Sequence, residues 1–172
     1  METGLEKLET TDVLRLAGAC TRLPVESGEM VIEKDSPAGE LFIVADGSYK
    51  VFDDSLGEDF VFAILERGNI FGEMSFLDGS PRSAFVKALS DGSLLRMGRT
   101  EFEKLLADYP DTASRFLFAL ASVVTGRLRQ VNEALNEMTF GTEETPEGMS
   151  IEDVIAQMHI AVHIELTGPS DS

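Results

Sequence analysis

The residues with the clearest chemistry in this sequence lie in one short segment, residues 71–84. Glu73 carries a carboxylate, a group that accepts hydrogen bonds from ribose hydroxyls in dinucleotide-binding folds. Arg82 carries a guanidinium, which binds phosphate through two parallel hydrogen bonds. Gly72 permits a tight turn close to a ligand, and residues 73–77 suffice for one helical turn whose free N–H groups favour an anion. Together with nearby serine hydroxyls, these groups predict a pocket for a small ribose phosphate.

Turn residues separate the acid from the arginine. Asp78-Gly79-Ser80-Pro81 is typical of a turn and ends the short helix, so Arg82 begins an extended run. The same pattern has a purely structural alternative, in which a Glu73–Arg82 salt bridge closes the turn.

The order of these residues resembles a known motif. Phe71-Gly72-Glu73-Met74-Ser75 followed by Pro81-Arg82-Ser83-Ala84 is similar to the phosphate-binding cassette of cyclic nucleotide-binding domains. That family includes the bacterial catabolite activator protein and the regulatory subunits of protein kinase A. Two positions depart from the family pattern, since Ser75 replaces a frequent alanine and Phe76 a frequent leucine. Neither change removes a charged group.

The resemblance implies a role for each cassette residue. It places Glu73 on the ribose 2′-hydroxyl, Arg82 on the cyclic phosphate and Ser83 on the phosphate or the base. The ligand is expected to be cyclic AMP, or cyclic GMP. The implied binding set is Gly72, Glu73, Met74, Ser75, Arg82, Ser83, Ala84 and, on a later helix beside Val131, Asn132. The resemblance places both Val131 and Asn132 where relatives have the residues that reach the base, and the amide of Asn132 suits such a contact.

Short apolar segments before residue 100 predict a β-rich fold. Residues 41–45 and 49–52 flank Asp46-Gly47-Ser48, and residues 84–89 and 93–97 flank Asp91-Gly92. Each pair is therefore predicted to form a hairpin. Many short strands with glycine turns favour a sandwich or a small barrel.

The resemblance covers roughly residues 10–138 and narrows the fold class. It implies an α+β domain, an antiparallel β-roll of jelly-roll type flanked by helices, with a long C-terminal helix. A helix over residues 12–19 is predicted to precede the roll, and Val13, Leu14, Leu16 and Ala17 are expected to face inward.

The long helix is predicted over residues 111–138, which contain no proline. Apolar residues follow spacings of four and three along it, the pattern of a coiled-coil seam: Leu117, Ala121, Val124, Leu128, Val131, Leu135 and Met138. A second apolar set, Phe116, Phe118, Leu120 and Val123, is confined to the first half, which is therefore expected to be buried on two sides. The seam predicts a homodimer, and the alternative is a monomer whose tail covers the seam.

The charge composition argues against nucleic acids and membranes as binding partners. The formal net charge is −17, and residues 139–172 carry no Lys or Arg. Because duplex binding depends on cationic contacts to phosphate, no nucleic-acid binding is expected, and anionic membranes are equally unfavourable. There is no long apolar run, so neither a transmembrane helix nor a secretory signal is predicted. A single cysteine, Cys20, fits a reducing cytoplasm.

The sequence divides into a domain, 1–138, and an acidic tail, 139–172. In the tail, residues 150–158 read as a helix and residues 158–166 alternate like a strand, and the two patterns conflict. His159 and His163 have metal-ligand spacing, but the prediction is a polar face and no metal site.

The predicted function is a regulatory module that binds a cyclic nucleotide and not DNA. The chain after the long helix is short and lacks positive charge, so the helix-turn-helix of some relatives is not expected. No catalytic motif is present, so an enzyme is not predicted. The alternative is a dimeric scaffold or interaction domain whose cassette no longer binds ligand.

Overall fold

The computed structural model describes residues 5, 8–37, 39–55, 57 and 59–140. Helices flank eight strands along this part of the chain. In order, the elements are α1 (Thr10–Ala19), β1 (Thr21–Val25), β2 (Met30–Ile32), β3 (Glu40–Asp46), β4 (Tyr49–Asp53), β5 (Phe60–Leu65), β6 (Ile70–Phe71), α2 (Glu73–Asp78), β7 (Phe85–Ala88), β8 (Gly92–Gly98), α3 (Arg99–Asp108) and α4 (Pro110–Phe140).

The strands form two four-stranded antiparallel sheets, with orders β1-β8-β3-β6 and β2-β7-β4-β5. This arrangement confirms the predicted β-roll with flanking helices and a long C-terminal helix. The tail beyond residue 140, with its histidine pair, lies outside the described residues, so the division of the chain at residue 138 stays a prediction.

Both predicted hairpins are wrong. β3 and β4 lie in different sheets, and so do β7 and β8. The Gly47 and Gly92 turns are corners at which the chain passes from one sheet to the other. The backbones of the two corners are in close contact. A Cβ on Gly92 would lie 2.4 Å from the carbonyl oxygen of Asp46, and one on Gly47 would lie 2.9 Å from that of Asp91. Glycine is therefore required by backbone-to-backbone packing as well as by turn geometry.

The core has two layers that share strand β3. Leu41 and Ile43 face the helices, whereas Phe42 and Val44 face the inside of the roll. β3 is buried on both faces, which is why its sequence is a continuous apolar run without alternation.

Helix α1 buries a different face from the one predicted. Leu16 is buried as expected, but Leu14 is 67% exposed and Val13 is also exposed. The fully buried side chain is Asp12, which accepts hydrogen bonds from Thr112 and Arg115 of α4. A charged side chain can be buried on this face because α4 supplies its hydrogen-bond donors.

The first half of α4 is buried on one side. Phe116, Leu120 and Val123 are buried against the rest of the protein, but Phe118 is 77% exposed, which corrects the prediction of two buried sides. Full burial of each apolar side chain stabilises the fold by about 1.5–3 kcal/mol. Leu117 and Leu128 of the predicted seam remain exposed, Leu128 by 47%. No helix among the described residues is long and apolar enough to cross a membrane.

Candidate functional site

The predicted binding segment lines a cavity of about 420 Å³. Seven of the eight predicted site residues, from Gly72 to Ser75 and from Arg82 to Ala84, are part of its wall. Strand β5 and helix α4 supply other parts of the lining: Phe60, Val61, Phe62, Ala63 and Leu65 on β5, and Arg127, Gln130 and Val131 on α4.

Gly72 sets the geometry at the entrance to α2. It adopts a left-handed conformation, φ 72°, and caps the helix that begins at Glu73. A Cβ at this position would lie 2.5 Å from Nη1 of Arg82 and 3.1 Å from the carbonyl oxygen of Glu40. A side chain here would be strained and would displace the arginine.

Arg82 lines the cavity, and hydrogen bonds hold both its backbone and its guanidinium. Its N–H donates to the carbonyl of Ser36 (3.2 Å), and its own carbonyl accepts from the N–H of Asp35 (2.8 Å). Nη1 donates to the carbonyl of Gly72 at 3.1 Å. Ser75 Oγ donates to the carbonyl of Pro81 at 3.2 Å, which fixes the turn before Arg82.

The electrostatics of Arg82 favour an anion. Arg82 is only 5% exposed, and none of the described carboxylates lies within salt-bridge distance of it. Burial lowers the pKa of Arg82, and the more distant charges of Glu40 and Glu73 oppose that shift. Arginine nevertheless stays protonated in proteins. A buried cation without a close countercharge is costly, so the cavity offers a strong site for a negatively charged group.

Glu73 is 1% exposed and forms a salt bridge with Nη1 of Arg127. The same guanidinium donates through Nη2 to the carbonyl of Ile70 at 2.5 Å. The structural alternative of a Glu73–Arg82 salt bridge is therefore not found, because the acid pairs with α4 instead.

Arg127 is a charged residue of the cavity wall that the sequence prediction missed. It lies 54 residues from Glu73 in sequence, so no local pattern links the two. One signal was available, since Arg127 is four residues before Val131, which was already placed near the ligand. Residues four apart share one face of a helix.

Asn132 is exposed and is not among the residues that line the cavity. Gln130 and Val131 occupy the α4 side of the wall instead. The contact predicted between Asn132 and the base stays a prediction.

These features describe a domain with a pocket that suits a nucleotide: a two-sheet roll, a short helix capped by a glycine, and a buried arginine. Residues 22–109 match the family model described as cyclic nucleotide-binding domain. This match covers more than half of the chain, which therefore belongs to the cyclic nucleotide-binding domain family.

Curated relatives come from bacteria and fungi. The cyclic AMP receptor protein of Thermus thermophilus is 35% identical over 101 residues, 58% of this chain and 45% of that protein. The cAMP-dependent protein kinase regulatory subunit of Aspergillus fumigatus is 28% identical over 111 residues, 64% of this chain and 26% of that protein. The chain thus spans less than half the length of these relatives.

Solved structures agree on the fold. The crystal structure of Thermus thermophilus catabolite activator protein superposes with a TM-score of 0.70 at 27% identity, covering 81% of this chain and 64% of that one. A cyclic nucleotide-binding domain from Methylobacillus flagellatus superposes with a TM-score of 0.67 at 22% identity, covering 83% of this chain and 78% of that one.

Proposed function

We propose that this chain is a regulatory module that binds cyclic AMP in the cavity between the cassette, β5 and α4. The observation that carries the proposal is the buried guanidinium of Arg82, which lines a cavity and lacks a close countercharge among the described residues. A cyclic phosphate supplies one negative charge and oxygens for a charge-assisted fork. Two of the relatives described above are named for cyclic AMP, which favours this nucleotide over cyclic GMP.

The other cassette residues complete the proposed site. Glu73 accepts from the ribose 2′-hydroxyl with an oxygen that its pairing with Arg127 leaves available. Ser83 and Ala84 approach the phosphate from the strand side, and Gly72, Met74 and Ser75 from the helix side. The site binds and orients a ligand, and the family consists of regulatory domains, so we propose no catalysis.

Calorimetric titration tests the proposal. Cyclic AMP is expected to bind with micromolar or tighter affinity, and 5′-AMP, which has the same base and ribose but an open phosphate, is the matched ligand control and is expected to bind more weakly. An absence of binding by both cyclic AMP and cyclic GMP would support the alternative, a scaffold with a non-binding cassette.

We further propose that α4 forms a homodimer seam. Leu117 and Leu128 are exposed on the face that carries the four–three spacing, and two copies that pair along it would bury both. Leu128→Glu is expected to split the dimer in sedimentation, since an unpaired buried carboxylate costs several kcal/mol. Asn136→Glu adds the same charge at an exposed position and is the control. Monomeric wild-type protein at high micromolar concentration would refute the seam.

Arg127 gives a physical route between the seam and the ligand. It lies next to Leu128 on α4 and holds Glu73 on the cavity wall. Suppose that α4 can pack in two ways and that the ligand contacts both Glu73 and α4 in only one of them. The ligand would then favour that packing. By linkage, Leu128→Glu would then also weaken ligand binding.

We propose that the chain does not bind DNA and acts in the cytoplasm. The net charge of −17 opposes binding to a polyanion, and the lone cysteine suits a reducing compartment. A gel-shift assay at physiological salt, with and without cyclic AMP, is expected to show no complex, and specific footprinting at nanomolar protein would refute this.

A further inference from the structure

The sheet β2-β7-β4-β5 has a second surface, which faces away from the inside of the roll. Val86 and Ala88 of β7 are buried inside the roll, and so is Tyr49 of β4. Because side chains alternate between the two faces of a strand, the residues next to these lie on the outside, and residues directly opposite on neighbouring strands share their face. The outer face is defined here by six residues: Met30, Lys50, Phe52, Ile64, Phe85 and Lys87.

Two lysines lie side by side on the outer face. The register pairs Lys50 of β4 with Lys87 of β7, and like charges directly opposite each other in a sheet are unfavourable. Lys50 forms a salt bridge with Asp59, which is 48% exposed. No carboxylate among the described residues lies within salt-bridge distance of Lys87. This part of a chain with net charge −17 is therefore locally positive and suits an acidic partner.

Apolar side chains surround the two lysines. Met30 and Ile64 lie at the two ends of the row that contains the lysines, and they are 40% and 47% exposed. In the next row, the rings of Phe52 and Phe85 stack with their centroids 5.3 Å apart. The ammonium of Lys50 lies over the ring of Phe52. The outer face thus combines apolar area with positive charge, which fits an apolar segment that carries acids.

One segment of this chain has the matching composition. Residues 151–166 contain no Lys or Arg, carry the adjacent acids Glu152 and Asp153, and are rich in Ile and Val. Their structure lies outside the described residues. In sequence, the two adjacent acids match the two adjacent lysines, and the apolar residues match the apolar part of the outer face.

We propose that residues 151–166 dock on the outer face of the same chain, with the two acids next to the two lysines. The contact brings a negative charge to Lys87 and removes from water the apolar area at both ends of the lysine row. It goes beyond nucleotide binding, since none of the six residues of the outer face lines the cavity. It also leaves the exposed leucines of α4 free for the proposed homodimer seam.

The chain is long enough for this contact. Val131 of α4 lines the same cavity as β5, and β5 is an edge strand of its sheet. Helix α4 ends at Phe140, so the nine residues after Val131 carry the chain about 14 Å along the helix axis. Residues 141–150 can extend over about 33 Å. That length allows a return to β5 and a passage over its edge, since neighbouring strands are about 4.8 Å apart.

Carbodiimide cross-linking of the full chain tests the contact, because this reagent joins a lysine to a carboxylate only when the two groups touch. Peptide mapping is expected to show Lys50 and Lys87 linked to Glu152 or Asp153. These links should exceed those from Lys104, an exposed lysine of α3, by about tenfold, since docking raises the local concentration of the acids. Links to the tail that are spread evenly over the three lysines would overturn the proposal.

A charge exchange tests whether the lysines and the acids cause the docking. The Lys50–Glu152 link is measured throughout, because neither residue is changed. Lys87→Glu should reduce this link about three- to fivefold, the effect of one exposed charge pair, and Lys87→Gln should reduce it less. Adding Asp153→Lys to Lys87→Glu should restore the link, and Lys104→Glu should leave it unchanged. A link that is insensitive to Lys87→Glu, or that falls equally in Lys104→Glu, would overturn the proposal.

Mixing chains of two isotopic compositions identifies which chain supplies the tail. Docking within one chain gives links between peptides of the same composition, and their yield should not depend on protein concentration. Links between light and heavy peptides would place the tail on a second copy and overturn the proposal. A lack of tail links on the outer face would overturn it as well. Neither result bears on cyclic AMP binding, which calorimetry measures separately.

Discussion

Helix α4 meets the rest of the protein at two buried carboxylates, and the two junctions differ in what surrounds them. At the α1 junction, Asp12 is fully buried and accepts from Thr112 Oγ1 (2.7 Å) and Arg115 Nη1 (3.0 Å). At the cavity junction, Glu73 pairs with Arg127. Asp12 and its partners do not line the cavity, whereas Glu73 and Arg127 do. The same pair of chemical groups thus lies away from the cavity at one junction and on the cavity wall at the other.

The pKa of Asp12 fits a structural role. The hydrogen bond from Thr112 lowers this pKa most; burial opposes the shift, and the hydrogen bond and charge of Arg115 lower it further. The carboxylate is therefore stabilised in its charged form by groups that belong to the fold. Ligand-dependent effects should appear in variants of the cavity junction and be absent from variants of the α1 junction.

The largest expected effect on ligand affinity is that of Arg82→Ala. The bound phosphate loses its charge-assisted fork, which is expected to cost about 2–4 kcal/mol of binding free energy. Titration calorimetry measures this loss. Arg115→Ala removes an arginine of the other junction and should leave the affinity within about twofold of wild type, since nothing in that region lines the cavity. Equal losses of ligand affinity in the two variants would show that the cavity junction and the α1 junction do not differ in their role in binding.

Arg127→Ala should lower the free energy of unfolding by about 1–3 kcal/mol, because the buried Glu73 loses its charged partner. Urea unfolding measures the loss. A ligand with a ribose 2′-hydroxyl gives Glu73 a new donor, so saturating cyclic AMP should restore more stability than its 2′-deoxy analogue. Equal restoration by the two ligands would show that the ribose does not reach Glu73.

Glu73→Gln should reduce the affinity for cyclic AMP by about 1 kcal/mol, since a neutral amide is a weaker acceptor for the 2′-hydroxyl than a carboxylate. The 2′-deoxy analogue should lose less. Competition binding of the two ligands measures this difference. A matching change in Asp12→Asn would contradict the assignment of Asp12 as purely structural.

Asp12→Asn should leave ligand affinity unchanged and lower the melting temperature at pH 7 by a few degrees. Because the folded pKa of Asp12 is depressed, its stabilisation is fully present above the unfolded value of about 3.9 and is lost as pH falls through the folded pKa. The melting temperatures of wild type and variant should therefore converge in acid. A difference that persists below the folded pKa of Asp12 would argue against the charge of Asp12 as its source.

Local patterns in the sequence predict much of this fold and part of the site. The short helix at Glu73, the long helix and most strands follow from composition and spacing, because these are properties of neighbouring residues. The pairing of strands does not follow, since Asp-Gly turns are compatible with hairpins as well as with corners between sheets. The long-range pairing of β3 with β8 and of β4 with β7 decides between them.

In the site too, contacts between residues close in sequence were predictable and contacts between distant residues were not. Glu73 and Arg82 are close in sequence and were predicted together. Arg127 was missed because its partner is distant in the chain, and Asp12 was missed because a carboxylate is buried only when other elements supply donors. Asn132 was chosen for its amide and for its place in the resemblance. It is not among the residues that line the cavity, whereas Gln130 is, and its contact with the base stays a prediction.

The pair of sheet-crossing corners has a consequence for how the chain acquires its shape. β7 lies between β2 and β4, and β8 lies between β1 and β3, so the last strands in the sequence are interior ones. Thr21 must wait for Arg96 before it can pair. During synthesis, which proceeds from the N-terminus, the sheet that contains β7 cannot close until residue 88 has left the ribosome, and the sheet that contains β8 must wait until residue 98. Such non-local pairing is slow. Until then the early strands have unpaired edges that favour wrong contacts with other chains, and the ligand cavity forms only after this vulnerable interval.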